Sequence, residues 1–347
     1  MDVNSGTATG SSLLQMLGQI ESAKSPKELY GSGDVEKLYR RFMLSCHPDK
    51  FASESEALRK RGENAFKKVR EYYDLLNGKK AAAPAVFGKW VVEHAIVGGD
   101  LADIYQVTSA STPKGILKIV RSANDNDLQE NEIAALRDFH KEATNPFQRY
   151  FPNVLESFKA SGRRAIIMTP AEMALKDGPI EPMVSLEEIL RRSGGKIDFR
   201  HMVWMSNRLL SALGYVHNRG RVHGAIVPSH LMYGPESHGL TLVDWCYSVT
   251  GESKKHIPAI VKDYRHLYPK EIFRKEPPMP GTDLFMWAMI VKASTTVPRR
   301  FDGLLDWCLA DSRRARPQDA WKIQDQWGTL AAEEFGKPKY LKLQLSR

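Results

Sequence analysis

The sequence predicts two folded units: an all-α hairpin of helices near the N-terminus, and a larger α+β unit whose sheet-rich lobe precedes a helical one. Three observations predict this. At 347 residues the chain exceeds what one core usually organises. A helical apolar period runs through residues 12–78, and it fades in a stretch with neither helical nor strand period, Lys79 to Pro84. Beyond that stretch come short β-branched runs and then long helical segments, the order of an α+β domain.

Residues 1–11 are small and polar and are expected to form a disordered tail. The first helix starts near Ser12 and carries Leu13, Leu14, Met16, Leu17 and Ile20. A long connection, "SAKSPKELYGSG", leads to a second helix capped by Asp34, with Val35, Leu38, Tyr39, Phe42 and Met43 on one stripe. Glu36, Lys37, Arg40 and Arg41 occupy its other faces. The break "CHPDKFAS" follows, where proline disfavours continued helix. A third helix starts at the capping box Ser53 to Glu56, buries Phe66, Val69, Tyr73 and Leu76, and stops at Asn77-Gly78. Residues 79–88 are expected to link the units. "KWVVEHAIV", "DIYQVTSA" and "GILKIVR" read as an antiparallel meander, followed by a helix at Leu128–Phe139 and strands near Val154–Phe158 and Arg164–Met168. From Ser185 the chain is mainly helical, and Phe199–His217 stacks Met205, Leu209, Leu213 and Val216 on one face. The larger domain spans 89–330, with a tail at 331–347.

Apolar residues make up 42% and charged residues 26%, the balance of a globular chain. No apolar run reaches the length of a membrane span, and no secretory leader pattern opens the sequence. Cys46, Cys246 and Cys308 form no CxxC pair, which favours a reducing, cytoplasmic compartment. The net charge of +9 raises nucleic acid as a partner. Its lysines and arginines are spread along the chain without a nucleic-acid motif, and an acidic protein surface accounts for the charge equally well.

At "HPDK" the residues carry a family resemblance. A basic second helix, His47-Pro48-Asp49 in the next loop, and a third helix ending "AFKKVREYYDLLNG" together resemble the J domain of DnaJ-type co-chaperones. The chemistry suits a contact site: Pro48 stiffens the loop, and Asp49 can accept a bidentate arginine. The resemblance implies that His47, Pro48 and Asp49, with Lys37, Arg40 and Arg41, dock on a DnaK-type chaperone ATPase.

Residues 89–330 resemble the bilobal protein-kinase fold. "GILKIVR" supplies Lys118 in the place of the phosphate-binding lysine, and "ENEIAALRDF" supplies Glu132 as its partner. "RVHGAIVPSHLMY" matches the catalytic loop and "LTLVDWCYS" the metal-binding turn, with Asp244 as its acid. Glu271 in "YPKEI", Asp283 in "GTDLFMWAMIV" and Arg316 in "CLADSRRARP" match structural positions of that fold. The glycine-rich loop reads Val97, Gly99 and Ala102 at its three glycine positions. Ala225 stands where such kinases carry a catalytic aspartate, with Val227 and His230 at the lysine and asparagine positions. An alanine cannot accept the substrate's hydroxyl proton. The resemblance therefore implies a pseudokinase without a catalytic residue, not an enzyme. It leaves Gly99, Lys118, Glu132 and Asp244 to bind ATP and Mg, and the domain to bind an unknown client. An ATP-dependent transferase using Lys118, Asp244 and His230 is the alternative.

Overall fold

The computed structural model describes residues 7–23, 25–31, 34–46, 51, 55–76, 85–98, 101–142, 144–175, 178–251 and 255–345. The chain divides into two compact units, Met1–Val86 and Phe87–Arg347.

The first unit contains α1 (Thr7–Ser22), α2 (Pro26–Tyr30), α3 (Val35–Ser45) and α4 (Glu56–Leu76). Helix α1 begins at Thr7, so residues 7–11 of the expected tail are helical and the rest lies outside the described residues. Once Leu17 and Ile20 are buried, each residue added upstream gains a backbone bond without a new nucleation cost. Helix α2 is absent from the sequence expectation because five residues show no period. Its start signals are Ser25, which accepts from Glu28 N at 3.2 Å, and Pro26 in the first turn. It seats Leu29 and Tyr30 in the core, and the Tyr30 hydroxyl donates to Val69 O on α4. Asp34 caps α3 by accepting from Lys37 N at 3.0 Å. Helices α3 and α4 share a core of Phe42, Ala65 and Val69, and Tyr39 stacks on Tyr73 with centroids 3.8 Å apart. Leu76, expected to be buried, is exposed at the last residue of α4.

The second unit opens with Phe87, the second residue of β1 (Val86–Phe87), which shortens the linker expected to reach residue 88, because Phe87 packs on Phe158. β2 (Trp90–Gly98), β3 (Ala102–Ser109), β4 (Thr112–Val120), α5 (Asn126–Phe139), β5 (Val154–Ala160) and β6 (Arg163–Met168) follow. The six-stranded sheet has the order β1-β2-β3-β4-β6-β5, and β4 lies between β3 and β6. The two-residue side-chain period sorts β4: Leu117 and Ile119 join a small core with Trp90, Val107, Ala165 and Ile167, and Lys118 points to the other face.

The helical lobe comprises α6 (Leu186–Arg192), α7 (Phe199–Asn218), α8 (Lys270–Phe273), α9 (Pro280–Ser294), α10 (Asp302–Cys308) and α11 (Ala320–Phe335). Helix α7 buries Met205, Leu209, Leu213 and Val216. Helix α9 is apolar almost all round and is buried in the middle of the lobe, with Trp287 donating to Ser206 Oγ at 3.0 Å. After α11 the chain docks again: Leu343 is buried, and His238 lies between the rings of Trp204 and Tyr340.

Candidate functional site: a lysine between two carboxylates

Lys118 is buried in the interior of the second unit, and its ammonium reaches two carboxylates. One is Glu132 Oε2 on α5, at 2.9 Å; the other is Asp244 Oδ1. These three residues lie on a central strand, a helix and a turn, and folding brings them together. Glu132 is held by Gln129 Nε2, which donates to it at 2.9 Å. Asp244 occupies the left-handed region at φ 64°, a conformation that aspartate tolerates better than most residues. Burial opposes the charge on Lys118, yet the Asp244 and Glu132 carboxylates outweigh it and hold the ammonium well above its ordinary range. Burial likewise pushes Asp244 up, and Lys118 outweighs it, so the carboxyl lies well below the usual aspartate value. Both groups are therefore charged at neutral pH. Glu132, Asp244 and Cys246 offer ligand atoms within 4.8 Å of one another. An ammonium between the two carboxylates occupies the position a cation would need there, and burial raises the Cys246 thiol well above its ordinary value.

These groups line a cavity of about 660 Å³, a volume typical of small-molecule sites. Ile104, Ile116 and Met168 line it with apolar surface, and Lys118, Asp244 and His230 are among its polar lining. Ala102 is buried at the start of β3, Val97 lies in β2, and Gly99 lies outside the described residues.

The loop opposite is set by one buried acid. Asp283, at the first turn of α9, accepts from His223 N at 2.9 Å and Gly224 N at 2.8 Å, and pairs with His217 Nε2 at 2.9 Å. His223 donates from Nε2 to Val243 O at 3.0 Å, and its Nδ1 accepts from Ala225 N at 3.2 Å. Both ring nitrogens are thus used, and burial lowers the ring to about 4. Ala225 is completely buried and offers its backbone: its carbonyl accepts from His230 Nδ1 at 2.9 Å. Glu271 receives Arg316 in a buried two-pronged pair at 2.5 and 3.2 Å.

Asn131 is missing from the sequence-derived set. It precedes Glu132, and its Nδ2 donates to Cys246 O at 3.1 Å and Ser248 O at 2.7 Å, fastening α5 to the turn that carries Asp244. Arg221 donates to Ser248 Oγ at 2.9 Å and completes the clamp. No local pattern marks Asn131, because its partners lie more than 110 residues away.

In the first unit, His47, Pro48 and Asp49 lie outside the described residues. The chain on either side of them is fixed. Cys46 and Phe51 are buried, and Phe51 lies against the bare Cα of Gly62 on α4, where a Cβ would come within 2.6 Å of the ring. Lys37, Arg40 and Arg41 are exposed on α3, with Arg40 reaching Glu36 at 2.8 Å.

Comparisons with known proteins divide along the same line. No family model matches the chain. A stretch of 44 residues is 43% identical to the chaperone protein DnaJ of Fusobacterium nucleatum subsp. nucleatum. It is 41% identical to the DnaJ of subsp. polymorphum. The stretch covers 13% of this chain and 11% of each relative. Two solved structures of the Mycobacterium tuberculosis PknI kinase domain, a single and a double mutant, match 73% of this chain and 99% of their own. Identity is 15% and 16%, and the TM-scores are 0.53 and 0.54. The large unit has the protein-kinase fold. A J-domain-like helical unit precedes it in the same chain.

The match corrects one expectation. The chain was expected not to be an enzyme because of Ala225, but the structures that share its fold are kinase domains. The physical reason is that phosphoryl transfer relies mainly on positioning and charge stabilisation, with general-base assistance contributing only about 10²–10⁴-fold. A missing carboxylate at 225 does not by itself exclude activity.

Proposed function

We propose that this chain is a cytoplasmic J-domain co-chaperone whose helical unit docks on a DnaK-type chaperone ATPase and stimulates it. Its kinase-like unit binds ATP with a divalent ion, and a client protein. One observation carries the first part: the sequence places His47-Pro48-Asp49 between two core-anchored residues, Cys46 and Phe51, directly after a helix exposing Lys37, Arg40 and Arg41. Fixed flanks limit the entropy lost when such a loop is captured. Similarity to DnaJ over 44 residues supports the same partner. A steady-state ATPase assay with a DnaK-type chaperone tests it. Wild type should stimulate hydrolysis, and His47→Gln and Asp49→Asn should return it to the basal rate. Equal stimulation by the variants would refute the proposal.

For the nucleotide, Lys118 suits a phosphate and Asp244 a metal ion, and the cavity is large enough for a small-molecule ligand. The ion, when bound, would neutralise phosphate charge. Addition of ATP with Mg²⁺ should raise the melting temperature, and no rise would argue against nucleotide binding.

The assembled Lys118, Glu132 and Asp244 favour a second reading, an ATP-dependent transferase. Labelled ATP incubated with cell extract should then label protein, and Asp244→Ala should abolish the label. Absence of transfer by wild type would dispose of this reading.

A further inference from the structure

His230 lines the cavity beside Asp244, and its surroundings select one ring nitrogen. A backbone carbonyl can only accept, so the 2.9 Å contact with Ala225 O places a proton on Nδ1. In the neutral ring Nε2 then carries the lone pair. His230 lines the same cavity as Asp244, and its Nε2 lies 3.5 Å from Asp244 Oδ2, long for a hydrogen bond. The other oxygen of Asp244 is committed to Lys118. The ring is held in place: His230 is 6% exposed, and Tyr247 stacks on it at 5.7 Å and 20°. An imidazole that donates one nitrogen to a carbonyl and presents the other beside a carboxylate is the usual arrangement of a metal-ligating histidine.

We propose that His230 Nε2 and Asp244 Oδ2 form a nitrogen–oxygen cation site that makes nucleotide binding prefer a first-row transition ion, such as Co²⁺ or Zn²⁺, over Mg²⁺. The inference rests on the nucleotide-binding reading above. Two features of the site support the preference. Imidazole suits the later first-row divalent ions, whereas Mg²⁺ favours oxygen and keeps its water. Spacing points the same way. Two donors at about 2.1 Å from an ion are separated by roughly 3.4 Å along a tetrahedral edge and by roughly 3.0 Å along an octahedral one. The observed 3.5 Å matches the tetrahedral edge, while Mg²⁺ demands near-ideal octahedral geometry.

The test uses the full chain with ATP and Co²⁺, Mg²⁺ or EDTA, in wild type, His230→Asn and His230→Gln. ATP itself binds these ions unequally, so the readout is the difference between proteins. Isothermal titration should show a Co²⁺-over-Mg²⁺ preference at least about tenfold larger in wild type than in His230→Asn, the scale on which metal sites respond to altered ligation. The visible absorption of Co²⁺ with ATP should intensify on adding wild type and not on adding His230→Asn. His230→Gln, which also lacks the imidazole nitrogen, guards against a fold defect in the first variant. Identical metal preference in all three proteins would overturn the inference with the nucleotide reading intact; binding equally tight in EDTA would overturn it too and reduce that reading to nucleotide without an ion. Absence of nucleotide binding in every condition would overturn both.

Discussion

The two units use charge in opposite ways. On α3 the basic groups Lys37, Arg40 and Arg41 are exposed, and the Arg40–Glu36 pair sits in solvent. In the kinase-like unit Lys118, Glu132, Glu271 and Arg316 are buried and paired at short range. Exposed charge can meet a partner because little desolvation has been spent on it; buried, paired charge is part of the fold, and its loss is felt as stability. The comparison predicts that the same kind of substitution will cost stability in one unit and association in the other.

The largest effect is expected from Lys118→Ala. It leaves Glu132 buried without its counter-charge, which should cost about 3–5 kcal/mol by urea denaturation and remove any melting-temperature rise with ATP. A loss below about 1 kcal/mol would show that water enters the pocket and that the contrast with α3 is false.

Acid should separate the units next. The folded His223 titrates near 4 against an ordinary 6.5. Protons therefore bind the unfolded chain first. Stability is intact above pH 6.5 and falls progressively toward pH 4, by about 3 kcal/mol for this group. His223→Gln should flatten that part of the profile. His223 belongs to the kinase-like unit, so the helical unit's own transition should change less over that range.

Gly62→Ala should cost about 1–3 kcal/mol in the helical unit by crowding Phe51, and should lower stimulation of a DnaK-type ATPase without changing the nucleotide response. Smallest of all, Arg40→Ala should change stability by less than about 0.5 kcal/mol in a melting experiment. It should slow association with the chaperone most at low salt. An equal effect at high salt would make Arg40 a packing residue.

Much of this was readable beforehand. Helix α3 announced itself through Asp34 and the Val35–Leu38–Phe42 spacing, and β4 through a β-branched run around Lys118. Helix α2 was not, because five residues complete barely more than one turn and stay folded only by seating Tyr30 against α4. Nor was Asn131, an ordinary polar residue until α5 meets the Asp244 turn. Ala225 shows the reverse: its side chain implies no catalysis, yet the structures that share the fold are kinase domains.

Periodicity, capping residues and motif order follow from local backbone geometry, so the longer helices and the strands of the meander, and the residue types at each landmark, were determined by sequence alone. Which nitrogen of His230 meets the Ala225 carbonyl and which faces Asp244, which oxygen of Asp244 pairs with Lys118 and which glycine receives Phe51 were decided only by tertiary structure. Each depends on groups far apart in the chain meeting within a few ångströms, and hydrogen bonding and desolvation act over that distance alone.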